Sequence, residues 1–232
     1  MVEIKGLEKF APKDFPGFIA ATVFLGGCNF RCPYCHNVDL VLRPNSMPTF
    51  PIDYFLAFLD VRKDWLEGVC VTGGEPLMHK DIDTLLTIIK ERDLLVKLDT
   101  NGAYPGRLDS LIQKGLIDHV AMDVKTSFEK YPEAAGVPVR IEDINTSITI
   151  ITESDLDYTF RTTAVPGLVD REDIKKISLA LEGSRIFRIQ QYVPNNTLER
   201  EYQDIKPYAA EQLRSWIEIA EPHFREVILE GV

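Results

Sequence analysis

The feature that most constrains the fold of this chain is a regular alternation of strand-like and helix-like stretches. The helix-like stretches carry apolar residues three and four positions apart, as residues 81–91 do. The strand-like runs are residues 18–25, 68–72, 94–99, 118–124, 157–164 and 185–193, with a short last run at 225–229. This alternation predicts an α/β fold of parallel strands with crossover helices. Six main units are fewer than the eight of a closed barrel, so we expect a partial, open barrel.

The composition limits the class of protein. With 232 residues, 45% of them hydrophobic, the chain can form one sizeable core, and we expect a single domain over residues 1–232. The net charge of −10 is a poor match for nucleic acid, which favours basic surfaces. The first residues show no signal-peptide pattern, and no apolar run is long enough to span a membrane. Four cysteines, three of them clustered, form no disulfide framework, so we expect a cytoplasmic protein.

Unusual residue clusters follow the strand-like runs one by one. The first run is followed by three cysteines within residues 28–35, and the second by Gly73-Gly74-Glu75-Pro76. The later runs end in Asp99 with Asn101, in Asp123 with Lys125, in Val165-Pro166-Gly167 and in a segment that contains Tyr192. Because the carboxyl ends of parallel strands share one rim, where α/β barrels build their active sites, the order predicts one composite site.

The clustered cysteines are Cys28, Cys32 and Cys35, in the spacing C-x-x-x-C-x-x-C. Three soft thiolates this close in sequence can converge on one inorganic centre. A four-iron cluster held by three thiolates leaves one iron without a protein ligand. A structural zinc site needs a fourth ligand, for which His36 or His79 is available. The spacing favours an iron–sulfur cluster, with zinc or a redox thiol pair as alternatives.

The segment Gly26-Gly27-Cys28-Asn29-Phe30-Arg31-Cys32-Pro33-Tyr34-Cys35-His36-Asn37 resembles the signature of the radical S-adenosylmethionine (SAM) enzymes. Within that superfamily the chain is most similar to the activating enzymes of glycyl-radical enzymes, and among these to the anaerobic ribonucleoside-triphosphate reductase activating proteins. The similarity extends over most of the chain. It implies a partial (β/α)6 barrel, a [4Fe-4S] cluster on the three clustered cysteines, and SAM bound at the open iron.

The resemblance also implies roles for the residues at the strand ends. The residues that match cofactor-binding positions are Tyr34, Gly73, Gly74, Glu75, Asp99, Asn101, Asp123, Lys125, Arg161 and Tyr192. The Gly-Gly-Glu part matches the motif for the SAM amino group. The acids, the asparagine and the lysine match positions around the SAM carboxylate and ribose, with a monovalent cation in some relatives. Arg161 is a candidate for a SAM or substrate contact. Tyr34 and the backbone near Tyr192 are candidates for flanking the adenine.

Two further segments bear on the resemblance. Asp14-Phe15-Pro16-Gly17 is similar to the segment before the cysteines in activating enzymes, which makes Asp14 a candidate contact for a partner loop. Some activating enzymes carry a histidine after the sixth strand, but this chain has Val193-Pro194-Asn195 there. No histidine is therefore assigned to the SAM site.

The resemblance implies reductive cleavage of SAM to a 5'-deoxyadenosyl radical, which takes a hydrogen atom from a glycine Cα. The implied partners are an anaerobic ribonucleotide reductase as protein substrate and a flavodoxin or ferredoxin-type reductant, with no nucleic acid or membrane partner. We expect a monomer.

Two alternatives stay open. The first is a radical SAM enzyme acting on a small molecule or peptide, such as a deazapurine synthase or a methyl-forming enzyme. A second iron–sulfur cluster is disfavoured, because Cys70 is the only further cysteine and lies in a strand, where we expect a small buried side chain. The other alternative is a non-catalytic metal-binding module, which would leave the other strand-end clusters without a role.

Overall fold

The computed structural model describes residues 2–232 and contains one eight-stranded sheet whose strands follow sequence order. The strands are β1 (Ile4–Glu8), β2 (Ala20–Leu25), β3 (Gly68–Gly73), β4 (Leu95–Thr100), β5 (His119–Asp123), β6 (Asp157–Ala164), β7 (Ile186–Gln191) and β8 (Glu226–Glu230). β1 pairs antiparallel with β2, and every later neighbouring pair is parallel.

Helices connect the parallel strands. They are α1 (Val38–Leu42), α2 (Ile52–Arg62), α3 (Ile82–Lys90), α4 (Pro105–Gln113), α5 (Tyr131–Ala135), α6 (Ile141–Glu153), α7 (Arg171–Ala180) and α8 (Ala210–Ala220). The apolar stripe that predicted α3 is its buried face, formed by Ile82, Leu85, Leu86 and Ile89. None of the helices within residues 2–232 combines the length and apolar character needed to cross a membrane.

The two faces of the sheet differ in chemistry, as β4 illustrates. Val96 and Leu98 belong to the apolar core between the sheet and the helices. Lys97 and Asp99, which alternate with them, line cavities on the other, inner face. Because successive side chains of a strand point to opposite faces, this alternation gives the sheet an apolar outer face and a charged inner face.

The predicted α/β fold with an open barrel of parallel strands is confirmed. All six predicted main strands and the short last strand are present, and the ends of the sheet, β1 and β8, do not pair with each other within residues 2–232. The first predicted strand began too early, because Phe18 and Ile19 precede β2 and are 37% and 41% exposed. The sequence analysis did not predict β1, whose interior Gly6 weakens the strand signal.

Candidate active site

A loop with little freedom carries the three clustered cysteines. After β2, Gly27 has φ +83°, a conformation that favours glycine, and its N–H donates to the Leu40 carbonyl at 2.7 Å. The Arg31 N–H donates to the Ala135 carbonyl at 2.8 Å, and the Arg31 guanidinium donates to the Cys28 carbonyl at 2.6 Å. Hydrogen bonds before the first cysteine and in the middle of the loop therefore fix its conformation.

Burial suppresses ionisation of these thiols. It raises the pKa of Cys28 to about 11 and the pKa of Cys32 to about 12, and it also raises the pKa of Cys35. The Phe30 N–H donates to the Cys28 sulfur at 3.4 Å, which offsets only part of the effect of burial. The Lys125 ammonium offsets a further part, and a soft metal centre bound to the three sulfurs would supply the remaining positive charge.

Each histidine considered for a zinc site contacts a backbone carbonyl through Nε2. The Nε2 atom of His36 lies 2.7 Å from the Val193 carbonyl oxygen, and that of His79 lies 2.9 Å from the Gly26 carbonyl oxygen. No group of three or more histidine, cysteine or acidic residues within residues 2–232 is placed to hold a single metal ion. The described residues thus offer no closed four-ligand zinc site.

The Gly73-Gly74 turn after β3 packs directly on the turn before the cysteines. A Cβ at Gly73 would lie 2.3 Å from the Leu25 carbonyl oxygen, and one at Gly74 would lie 1.8 Å from the Gly27 carbonyl oxygen. The Gly74 N–H donates to the Leu25 carbonyl at 2.9 Å. Any side chain at either glycine would push the two turns apart, so this contact requires both glycines.

Glu75 connects that turn to the end of β4. Its carboxylate is 1% exposed and accepts hydrogen bonds from Leu77 N at 3.1 Å, Thr100 Oγ1 at 2.8 Å and Asn101 N at 2.7 Å. Burial raises the pKa of Glu75 to about 7, because these neutral donors only partly offset the loss of water. The side chain holds two strand-end turns together, and it is not among the residues that line the cavity described below.

Five charged side chains of alternating sign cross the inner face of the sheet. They form the chain Lys97, Asp99, Arg161, Asp123, Lys125, which we call the charge chain. Lys97 pairs closely with Asp99, and Arg161 donates to Asp99 at 3.1 Å and to Asp123 at 2.7 Å. Lys125 donates to Asp123 at 3.0 Å. With three cations and two anions, the charge chain carries one excess positive charge.

The charge chain keeps both carboxylates ionised. Burial alone would raise the pKa of Asp99, but Arg161 and Lys97 outweigh it and hold this pKa below its usual value. Arg161 and Lys125 likewise hold the pKa of Asp123 far below its usual value, against the effect of burial.

One cavity of about 480 Å³ brings most of the predicted site together, and we call it the cysteine cavity. The predicted residues that line it are Asp14, Cys28, Cys32, Tyr34, Cys35, Gly73, Gly74, Asp99, Asn101, Asp123, Lys125 and Arg161. The side-chain amide of Asn101 donates to Asn29 at 2.8 Å and lies 3.9 Å from the Cys28 sulfur. The ends of β3, β4, β5 and β6 and the cysteine loop therefore share one site.

The two predicted tyrosines differ in placement. The buried Tyr34 hydroxyl lines the cysteine cavity and has no hydrogen-bond partner within residues 2–232. The Tyr192 side chain is also buried, but its hydroxyl donates to the Tyr202 carbonyl and it does not line the cavity. Of these two, only Tyr34 lines the cavity.

The sequence analysis missed three residues around this site. Lys97 completes the charge chain, Thr100 donates to Glu75, and Gln190 of β7 lines the cysteine cavity. Lys97 could have been predicted from the sequence, because it lies two positions before Asp99 in the same strand and therefore shares its face of the sheet. Cys70 is buried as predicted, but its sulfur lies 3.6 Å from Lys97 Nζ and 3.7 Å from Asp99, so its surroundings are charged.

Comparison with protein families gives one match over most of the chain. The family model described as the radical SAM superfamily matches residues 22–180. A Methanocaldococcus jannaschii protein named "putative glycyl-radical enzyme activating enzyme" is 31% identical over 234 residues, covering 99% of this chain and 96% of that protein. The pyruvate formate-lyase-activating enzyme of Streptococcus mutans serotype c is 26% identical over 208 residues, covering 84% of this chain and 78% of that enzyme.

Solved structures show the same fold in longer proteins. SuiB of Streptococcus suis superposes with a TM-score of 0.67 at 20% identity, covering 92% of this chain and 48% of that one. Coproporphyrinogen III oxidase of Escherichia coli superposes with a TM-score of 0.65 at 14% identity, covering 87% of this chain and 52% of that one. The chain thus spans about half the length of these structures, and the similarity to them concerns the fold.

Proposed function

Because this chain belongs to the radical SAM superfamily, we propose that it is an activating enzyme whose protein substrate is an anaerobic ribonucleoside-triphosphate reductase. The observation that carries this proposal is the cysteine cavity, where three thiols, two glycine-dependent turns and the charge chain meet. A non-catalytic metal-binding module would account for the thiols alone. It would leave a cavity of about 480 Å³ and the charged side chains that line it without a role.

The residues fit the cofactors of the superfamily. Cys28, Cys32 and Cys35 would hold a [4Fe-4S] cluster, since one buried and two half-buried thiols line the cavity with no fourth side chain placed to close the shell within residues 2–232. When bound, the cluster and SAM supply one-electron cleavage that yields a 5'-deoxyadenosyl radical. Everything else that the site needs, namely orientation, charge balance and exclusion of water, is supplied by this chain.

The charge chain suits the zwitterionic end of SAM. Two of its cations, Lys125 and Arg161, line the cysteine cavity, where a ligand carboxylate would pair with one of them. We assign this contact to Lys125, whose partner Asp123 leaves part of its ammonium available. Asp99 and Asn101 would orient the ribose, and Tyr34 would lie beside the adenine. Glu75 would act through its hydrogen bonds by keeping the Gly73-Gly74 turn in position for the SAM amino group.

The monovalent cation found in some relatives stays a prediction. Arg161 lies between Asp99 and Asp123 and already supplies positive charge at that point. Competition with this guanidinium disfavours a cation between the two carboxylates. We further infer a cytoplasmic location, because thiolate-bound iron requires a reducing compartment. We also infer that the protein is a monomer and that it takes its electron from a flavodoxin or ferredoxin-type reductant.

Glycyl-radical formation on the partner tests this proposal. The anaerobically reconstituted protein would be mixed with SAM, dithionite and the anaerobic ribonucleoside-triphosphate reductase encoded in the same genome, and examined by electron spin resonance. We expect a glycyl-radical doublet that is absent with the Cys32→Ala variant and absent when the radical-bearing glycine of the reductase is replaced by alanine. SAM cleavage without a doublet, together with conversion of a small metabolite or peptide, would favour the alternative enzyme class.

A further inference from the structure

A second cavity lies on the inner face of the sheet, between the segment before β2 and strands β4 to β8, and we call it the seam cavity. Its volume is about 450 Å³. One wall is formed by Lys13, Asp14 and Pro16, which precede β2, and the opposite wall by Glu226, Ile228 and Glu230 of β8. The seam cavity and the cysteine cavity share three lining residues, Asp14, Arg161 and Gln190. The seam therefore leads from the side of the barrel to the proposed SAM site.

The β8 wall of the seam has unused backbone hydrogen-bonding groups. The Glu226 N–H donates to the Arg185 carbonyl at 3.0 Å, so residues 226, 228 and 230 direct their backbone groups toward β7. Because these directions alternate along a strand, the N–H and C=O groups of Val227 and Leu229 face the seam. Among residues 2–232 no strand pairs with this edge, whereas Ile4 of β1 forms a bridge with Phe50.

We propose that the glycine-bearing segment of the protein substrate enters through the seam as an extended strand that pairs with the free edge of β8. This inference rests on the proposed function above. Addition of a strand to a sheet edge is a common mode of peptide binding, in which main-chain hydrogen bonds give affinity largely independent of sequence. Glu230 pairs in register with Gln190, which lines both cavities, so the Glu230 end of β8 is the end of the seam nearer the cysteine cavity. A glycine at that end of the added strand would be separated from Gln190 by β8 itself, and its approach to the cysteine cavity would follow the residues that the two cavities share.

The charges of the seam favour a polypeptide with a basic side chain. Glu226 is exposed on the β8 wall and forms no ion pair or side-chain hydrogen bond with another residue of 2–232. Glu230 is already engaged by Arg188 at 3.2 Å and by Gln190 at 3.0 Å. An incoming segment with a lysine or arginine facing Glu226 would therefore match the one acidic group of this strand that lacks a partner.

A simpler explanation is that the inward-pointing glutamates only protect the edge from aggregation, as charges on edge strands often do. Two matched variants separate these explanations. Leu229→Pro removes an N–H that faces the seam while keeping all hydrogen bonds to β7, and Leu229→Ala shortens the same side chain but keeps the N–H. Neither variant touches the cysteine cavity, so SAM cleavage without substrate and the thermal midpoint should agree between the two.

The probe is a synthetic peptide that covers the radical-bearing glycine of the reductase, with its affinity for the SAM-loaded holoenzyme measured by fluorescence anisotropy. For the loss of one edge hydrogen bond we expect the Leu229→Pro variant to bind the peptide about threefold to tenfold more weakly than Leu229→Ala. N-methylation of successive peptide amides should weaken binding at every second position. Glu226→Gln should weaken binding less and reduce its dependence on salt.

The outcomes separate this inference from the proposed function. Wild-type protein that forms the glycyl radical while Leu229→Pro and Leu229→Ala bind the peptide equally would overturn edge pairing alone. Equal tolerance of N-methylation at all peptide positions would have the same meaning. Wild-type protein that forms no glycyl radical on the reductase would overturn both.

Discussion

The cysteine loop and the charge chain are both largely shielded from water, yet the pKa values of their ionisable groups shift in opposite directions. At the three thiols burial outweighs the nearby Lys125 ammonium, and it raises the pKa of Cys28 to about 11 and that of Cys32 to about 12. In the charge chain, cations next to Asp99 and Asp123 outweigh burial and lower the pKa of both carboxylates. The first region is complete only with an external cationic group, whereas the second is satisfied by the protein itself.

Glu75 is an intermediate case that supports this explanation. It is more buried than the two aspartates, and its direct partners are two backbone N–H groups and a hydroxyl, all of them neutral. The pKa of Glu75 is accordingly raised to about 7. Burial and the presence of a charged partner together decide which of these groups is ionised near neutral pH.

The largest expected effect comes from removing one thiol of the cysteine loop. Cys32→Ala should abolish the cluster after anaerobic reconstitution, whereas Cys70→Ala, which changes a cysteine outside the loop, should keep about four irons and four sulfides per chain. The measurement is iron and sulfide content together with the visible absorption spectrum. Full iron content in Cys32→Ala, or its loss in Cys70→Ala, would mean that the ligands are assigned wrongly.

The next effect concerns the central cation of the charge chain. Arg161→Met leaves Asp99 and Asp123 without their shared partner, and we expect the free energy of unfolding of the metal-free protein to fall by about 3–5 kcal/mol. Arg188 is the matched control, because it is the register neighbour of Arg161 on β7 and has a single partly exposed partner, Glu230. Arg188→Met should cost about 1 kcal/mol or less.

Urea denaturation of both variants at pH 7 measures the difference. Equal losses for Arg161→Met and Arg188→Met would contradict the view that the charge chain satisfies itself internally. A loss confined to Arg161→Met would support it, and restoration of part of the stability by Arg161→Lys would show that charge contributes separately from geometry.

The smallest expected effect involves His119, a buried imidazole close to the charge chain. Burial, together with the Lys97 ammonium, lowers the pKa of His119 from 6.5 to about 4. Since the unfolded chain binds this proton more readily, the stability contributed by neutral His119 is present above pH 6.5 and is lost as the pH falls toward 4. At pH 5 the loss should be about 2 kcal/mol.

His119→Gln removes the titrating imidazole. The difference between the pH profiles of the wild-type protein and this variant therefore isolates the contribution of His119. Between pH 7 and pH 5, wild-type protein should lose about 2 kcal/mol more unfolding free energy than the variant, measured by urea denaturation at each pH. Parallel pH profiles for the two proteins would show that His119 is protonated without cost, and that burial and the Lys97 ammonium do not lower its pKa.

Much of the site followed from the order of segments along the chain. The residues after four successive parallel strands meet at one cavity because parallel strands end on one rim, and this required no knowledge of side-chain geometry. β1 escaped prediction because its five residues include Gly6 and two charged side chains. The role of Glu75 was beyond sequence reasoning, since its donors come from its own turn and from the end of β4, 25 and 26 residues further on.

By itself the sequence determined the cysteine spacing, the parallel order of the strands and the common rim on which the site lies, because each depends on local pattern and chain direction. The tertiary structure alone decided which charges pair in the charge chain, that Tyr192 turns away from the cavity, and that the edge of β8 is left open. These features depend on the register between strands distant in sequence, as with Arg161 beside both Asp123 and Arg188. Register arises from packing of the whole sheet, so no single segment encodes it.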